Sequence, residues 1–121
     1  MIPDDQPFET TVNLAVQVAL RLPKLDRTAK RVIVATLRST YNSGWNEYDE
    51  VQKNGSLKTI KNPRLSATEF ARKFSLRAIN VTGNRLVQFF YDDSGLFWGH
   101  NVLVTSLAGT DFGDARAELF G

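Results

Sequence analysis

The sequence predicts an α+β fold: an antiparallel sheet of about five strands, made of one long N-terminal strand and a C-terminal meander, with one main helix and one short helix packed on one face. Three observations predict it. Apolar residues alternate over 8–22, recur every three or four positions over 25–41, and later form short runs divided by Gly-, Asn- and Asp-containing turns.

Over 8–22, Val12, Leu14, Val16, Val18, Leu20 and Leu22 occupy every second position, with Glu9, Thr11, Asn13, Gln17 and Arg21 between them. That is the period of a strand with one buried face, and the β-branched valines favour it. A helical stripe through Ala15, Ala19 and Leu22 is the competing reading, and the unbroken alternation weighs against it. Pro23 then stops the strand. From Leu25 the period changes: Leu25, Ala29, Val32, Ile33, Leu37 and Tyr41 make one stripe of a helix, with basic residues on the other side. Asp26 suits the helix N-terminus as a cap or first-turn residue, and Gly44 suits its end. Trp45, just past that glycine, is expected to fold back over the core with its indole N–H seeking a carbonyl.

The stretch 46–64 has little periodicity, several lysines and an Asn54-Gly55-Ser56 turn signal, so it is expected to be a long surface loop. Ser66-Ala67-Thr68-Glu69 spells a capping box, in which serine and glutamate satisfy each other's orphan N–H groups, and a short helix with Phe70 and Phe74 should follow. The meander strands are then 76–81, 86–91, 97–106 and 115–120, and their short connections make neighbours antiparallel.

At 121 residues the chain is expected to form one domain over 1–121. Fifteen Lys and Arg against thirteen Asp and Glu give a net charge of only +2, so the field of the whole molecule is weak. Lys24, Arg27, Lys30, Arg31 and Arg38 cluster on the main helix without interleaved aromatics, which marks a solvated face rather than a nucleic-acid footprint, so no nucleic-acid partner is expected. No cysteine is present, which excludes disulfides and cysteine-ligated metal and fits the reducing cytoplasm. The acidic, proline-interrupted start Met1-Ile2-Pro3-Asp4-Asp5-Gln6-Pro7 is unlike an export signal, and no run is long enough to span a bilayer, so no membrane partner is expected.

The densest set of chemistry-bearing residues is Asp92-Asp93-Ser94-Gly95-Leu96-Phe97-Trp98-Gly99-His100. It holds the chain's only histidine, the one side chain whose ordinary pKa lies near neutral. Strand alternation carried back through 97–106 puts Trp98, His100, Val102 and Val104 on one face. A carboxylate of Asp92 or Asp93 could then hold the imidazole, as a catalytic pair or as a peg locking the loop to the sheet. The peg is the preferred reading. Gly95 should supply a positive-φ turn position, and Gly99 a bulge or close backbone approach. The competing reading is a small hydrolase or metal-dependent enzyme using Asp92, Asp93 and His100, although one histidine and two adjacent aspartates rarely suffice as ligands. Ser94 and Ser106 lie in no nucleophile elbow, and without a phosphate-cradling loop or dinucleotide fingerprint no cofactor is called for.

Trp45, the Thr68-Glu69-Phe70 helix, Tyr91-Asp92-Asp93 and Leu96-Phe97-Trp98-Gly99-His100-Asn101-Val102 together resemble an uncharacterised bacterial domain family that closes on an Asp-Asp-x-x-Leu-Phe-x-Gly-His segment and a final strand, here 115–121. Asn101 departs from the serine that the resemblance leads one to expect after the histidine. Related small α+β bacterial domains occur in toxin and immunity loci, so the resemblance implies protein binding. The expectation is therefore a non-enzymatic interaction module, immunity-type or accessory, with a protein partner or self-association. Trp45, Leu96, Phe97, Trp98, Gly99 and His100 would be its structural signature. The loop 46–64 and the acidic turns at Asp111 and Asp114 are the expected contact surface.

Overall fold

The computed structural model describes residues 8–120. The expectations placed on Met1 to Pro7 and on Gly121 lie outside them. Among the described residues the order is α1 (Phe8–Leu20), α2 (Leu22–Thr40), β1 (Glu47–Val51), β2 (Leu57–Lys61), α3 (Ala67–Arg72), β3 (Ser75–Thr82), β4 (Leu86–Asp92), β5 (Asn101–Ser106) and β6 (Arg116–Phe120). The fold is α+β with antiparallel strands, in a four-stranded sheet of order β3-β4-β5-β6 and a separate two-stranded hairpin, β1-β2. The single sheet of about five strands is thus corrected, and so is the pair of helices, since the described residues form three.

The first correction concerns 8–22, which is helical and not a strand. An alternating run contains two ridges at four-residue spacing, and a helix places those ridges on opposite sides because two residues turn it by about 200°. One ridge, Leu14 and Val18, is buried in the core. The other ridge faces outward. Pro23 does not stop a strand but sits in the first turn of α2, where its missing N–H costs nothing. Thr11 Oγ1 accepts the Gly83 N–H at 3.0 Å, pinning α1 to the β3–β4 turn.

α2 follows its stripe, burying Leu25, Ala29, Ile33 and Leu37. It runs into one wide turn at Tyr41–Trp45, where the Asn46 N–H reaches back to the Tyr41 carbonyl at 3.1 Å. The long loop is also corrected: 46–64 contains the hairpin, with Glu47 opposite Lys61 and Val51 opposite Leu57. Its turn lies where Asn54-Gly55-Ser56 placed one, with Gly55 at φ +83°. Buried Asn46 closes the neck, donating from Nδ2 to the Asn62 carbonyl at 2.9 Å and accepting the Asn62 N–H at 2.7 Å.

The capping box forms as expected. Ser66 Oγ accepts the Glu69 N–H at 3.2 Å and the Ser66 N–H donates to Glu69 Oε1 at 2.9 Å. These bonds to Ser66 hold the Glu69 carboxyl below its ordinary pKa. Phe70 and Phe74 stack edge-on in the core with ring centres 5.0 Å apart.

In the main sheet Val87, Phe89 and Tyr91 of β4 pair with Ser106, Val104 and Val102 of β5, and these side chains line the buried face that the helices cover. Tyr91 ties the two layers together: its hydroxyl donates to Asp26 Oδ1 at 2.6 Å, and Asp26 Oδ2 pairs with Lys30 at 3.4 Å. Burial, then the bond to Asp26 and its charge, push the Tyr91 phenol far above its ordinary pKa. No helix among the described residues is long and apolar enough to cross a membrane.

Candidate functional site

Segment 92–100 links β4 to β5 by two successive reversals. Ser94 and Gly95 have φ of +55° and +83°, and Trp98 and Gly99 have φ of +54° and +93°. Leu96 N–H bonds the Asp93 carbonyl, Trp98 N–H the Gly95 carbonyl and His100 N–H the Phe97 carbonyl, each at 3.2 Å. Gly95 takes the positive φ expected of it. Gly99 does so too, and open space where its Cβ would stand shows that backbone conformation, rather than close approach, favours glycine there.

Asp93 organises the segment. It is 2% exposed, with Oδ1 accepting the Gly95 N–H at 2.8 Å and Oδ2 the Phe97 N–H at 2.7 Å. The outer end is held by Ser94 Oγ, which donates to the Lys73 carbonyl at 2.7 Å. Phe97 is thereby driven into the core, its ring 5.3 Å from Trp45, 5.9 Å from Tyr41 and 6.3 Å from Phe70. Trp45 does cover the core, as its position after the helix predicts.

The strand expected over 97–106 begins only at Asn101. Alternation holds from there, with Val102 and Val104 turned to the helices, but it does not extend back to 97. The left-handed pair at Trp98 and Gly99 reverses the chain and breaks the two-residue period. Phe97 is therefore buried and Trp98 is 58% exposed, the opposite of the expected faces. His100 is half-buried, edge-on to Trp45 at 5.9 Å. A groove of about 470 Å³ runs past Thr40, Ser43, Gly44, Trp45, Trp98 and His100. Trp98 also leans on Trp45, at 5.5 Å. Leu96, half-buried, packs against the core from the loop.

The three residues of the enzymatic reading are engaged separately. Asp92 turns to the open face of the sheet and pairs with Arg77 at 3.5 Å. Asp93 holds two backbone N–H groups, and His100 lies against Trp45. Among the described residues no group of three or more His, Asp or Glu side chains is placed to hold a metal ion.

Two surfaces escaped the sequence reading. On α1, Phe8, Val12, Val16 and Leu20 form the outward ridge and are 82%, 39%, 47% and 73% exposed. A helical projection of 8–20 would have found it. On α2 the basic cluster divides: Arg38 donates from Nε to the Leu65 carbonyl at 2.9 Å, whereas Arg27, Lys30 and Arg31 border a groove shared with α3.

Residues 2–116 match the model of a family described as uncharacterized protein conserved in bacteria (DUF2262). No curated protein and no solved structure matches the chain.

Proposed function

The chain belongs to this uncharacterised bacterial family, and on that premise we propose that it is a non-enzymatic interaction module, of immunity or accessory type, that works as a pair of identical chains joined through α1. The outward ridge of Phe8, Val12, Val16 and Leu20 is the observation that carries the reading. A helix apolar on two sides is ordinarily covered on both, and a contiguous exposed apolar patch marks a contact surface.

A second copy fits this ridge because its pattern is symmetric about Leu14. Antiparallel packing sets Phe8 against Leu20 of the second copy and Val12 against its Val16. Ridges of four-residue spacing interdigitate at about −50°, and a self-complementary patch closes as a two-fold pair. Nothing charged lies between Glu9 and Arg21, so covering the centre of the ridge desolvates no ion. Ala15 and Ala19 beside the ridge allow close approach. A chain without cysteine suits the cytoplasm, where this pair would act.

In this reading segment 92–100 is structural, and its peg is Asp93 on the Gly95 and Phe97 N–H groups, which holds Phe97 in the core, in place of the expected carboxylate–imidazole peg at His100. Sedimentation equilibrium over a concentration series tests the proposal. The wild-type chain is expected to approach twice its monomer mass. Val12→Glu/Val16→Glu should remain monomeric with unchanged circular dichroism. A wild-type monomer at every concentration, or a folded double variant that still pairs, overturns it.

A further inference from the structure

We infer that the groove between α2 and α3 is a second binding site, which takes a protein segment carrying carboxylates beside aliphatic side chains. The groove has a volume of about 500 Å³. Arg27, Lys30 and Arg31 border it from α2 and Arg72 from α3. Its apolar lining is Val34 and Ala35 facing Ala67 and Ala71. Along α2 it extends from Arg27 to Ala35, about 12 Å at 1.5 Å per residue, the length of two helical turns or of a few extended residues.

The cations are available. Among the described residues the one ion pair in this group joins Lys30 to Asp26, and Asp26 also accepts the Tyr91 hydroxyl. Arg27, Arg31 and Arg72 are exposed and carry no such partner among those residues. Glu69, the nearest acid on α3, is engaged with the Ser66 backbone. Guanidinium groups bind carboxylates through two parallel N–H bonds, which selects an acidic partner by geometry as well as by charge.

The apolar lining selects the class of partner. Alanines on facing helices let a ligand's backbone come close, and Val34 with the alanine methyls gives an aliphatic side chain a surface to cover. No aromatic residue borders the groove to stack a nucleobase, which argues against single-stranded nucleic acid. Phosphate recognition would use the cations and leave the apolar lining wet. A short acidic and aliphatic peptide uses both. α1 contributes no residue to this groove, so the site stands independently of the pairing proposed above.

Fluorescence anisotropy tests the assignment with a short labelled peptide whose leucines, at helical spacing, are flanked by glutamates. Saturable binding is expected, weaker by about tenfold in Arg31→Gln/Arg72→Gln, as the loss of two exposed ion pairs implies. Peptides with lysine for glutamate, or with serine for leucine, should not bind. Val12→Glu/Val16→Glu should bind as the wild type does, which separates this site from α1. Circular dichroism and thermal unfolding confirm that the arginine variants are folded. Absence of saturable binding overturns the proposal. So does equal binding of either control peptide, or stronger binding to phosphatidylglycerol vesicles or a single-stranded oligonucleotide than to the peptide.

Discussion

Neighbouring aspartates with opposite surroundings make the sharpest test of the role given to segment 92–100. Asp93 accepts the Gly95 and Phe97 N–H groups at 2.8 and 2.7 Å and is 2% exposed. Hydrogen bonds to a charged group contribute about 1.5–3 kcal/mol each, and removing the acceptor also strands a buried donor. Asp93→Ala loses both bonds, so we expect a destabilisation of about 3–5 kcal/mol. Asp93→Asn keeps one carbonyl acceptor and should cost roughly half as much, about 1.5–3 kcal/mol. Asp92→Ala removes only an exposed pair with Arg77 at 3.5 Å and should cost less than about 1 kcal/mol. Urea unfolding followed by tryptophan fluorescence suits the measurement, because Trp45 and Trp98 both pack at this segment. Domains of this size have about 5–15 kcal/mol in total, so the three variants should separate clearly by midpoint. An Asp93→Ala variant within about 1 kcal/mol of wild type would refute the peg. Equal costs at Asp92 and Asp93 would refute it too.

Tyr91→Phe removes a hydroxyl bond to a charged acceptor that keeps Lys30 as a partner, so a loss of about 1–2 kcal/mol is expected in the same assay. The raised phenol pKa also fixes a pH dependence. The native chain holds a proton that an unfolded tyrosine releases near pH 10, so this stabilisation is complete below about pH 10 and is lost as pH rises beyond it. The slope reaches about 1.4 kcal/mol per pH unit. Tyr91→Phe should flatten it and leave the smaller share of Tyr41, whose pKa burial also raises. An unchanged alkaline slope in Tyr91→Phe would show that the phenol is not the group responsible.

Elements that show a single period were legible. α2 has one stripe and one polar face, α3 announces itself through Ser66 and Glu69, and β3, β4 and β6 are bounded by their turns. α1 was misread because Val12, Leu14, Val16, Val18 and Leu20 satisfy both periods. The alternation that argued for a strand is what puts two apolar ridges on opposite sides of a helix. The hairpin was missed because both of its faces are wet: its two apolar pairs, Tyr48 with Ile60 and Val51 with Leu57, fall on opposite faces among polar ones such as Thr59 Oγ1 donating to Asp49 Oδ1 at 2.8 Å and Lys61 pairing with Glu47 at 3.3 Å. No apolar face means no alternation to read. In segment 92–100 the residue types identified the place but not its geometry. A tryptophan at φ +54° runs against its own backbone preference and is held there by the turns on either side, which no local pattern reveals.

The central claim is that the second ridge of α1 exists to be covered by its own copy. The absence of native cysteine makes that claim open to direct cross-linking, since every thiol is then an introduced one. Val12→Cys chains and uniformly 15N-labelled Val16→Cys chains are prepared separately, mixed and oxidised under mild conditions, and the three disulfide products are told apart by mass through the label. Antiparallel pairing about Leu14 sets position 12 against position 16 of the second copy, so the mixed 12–16 product should dominate over 12–12 and 16–16. A statistical mixture of the three, or no cross-link in the folded protein, would contradict the account.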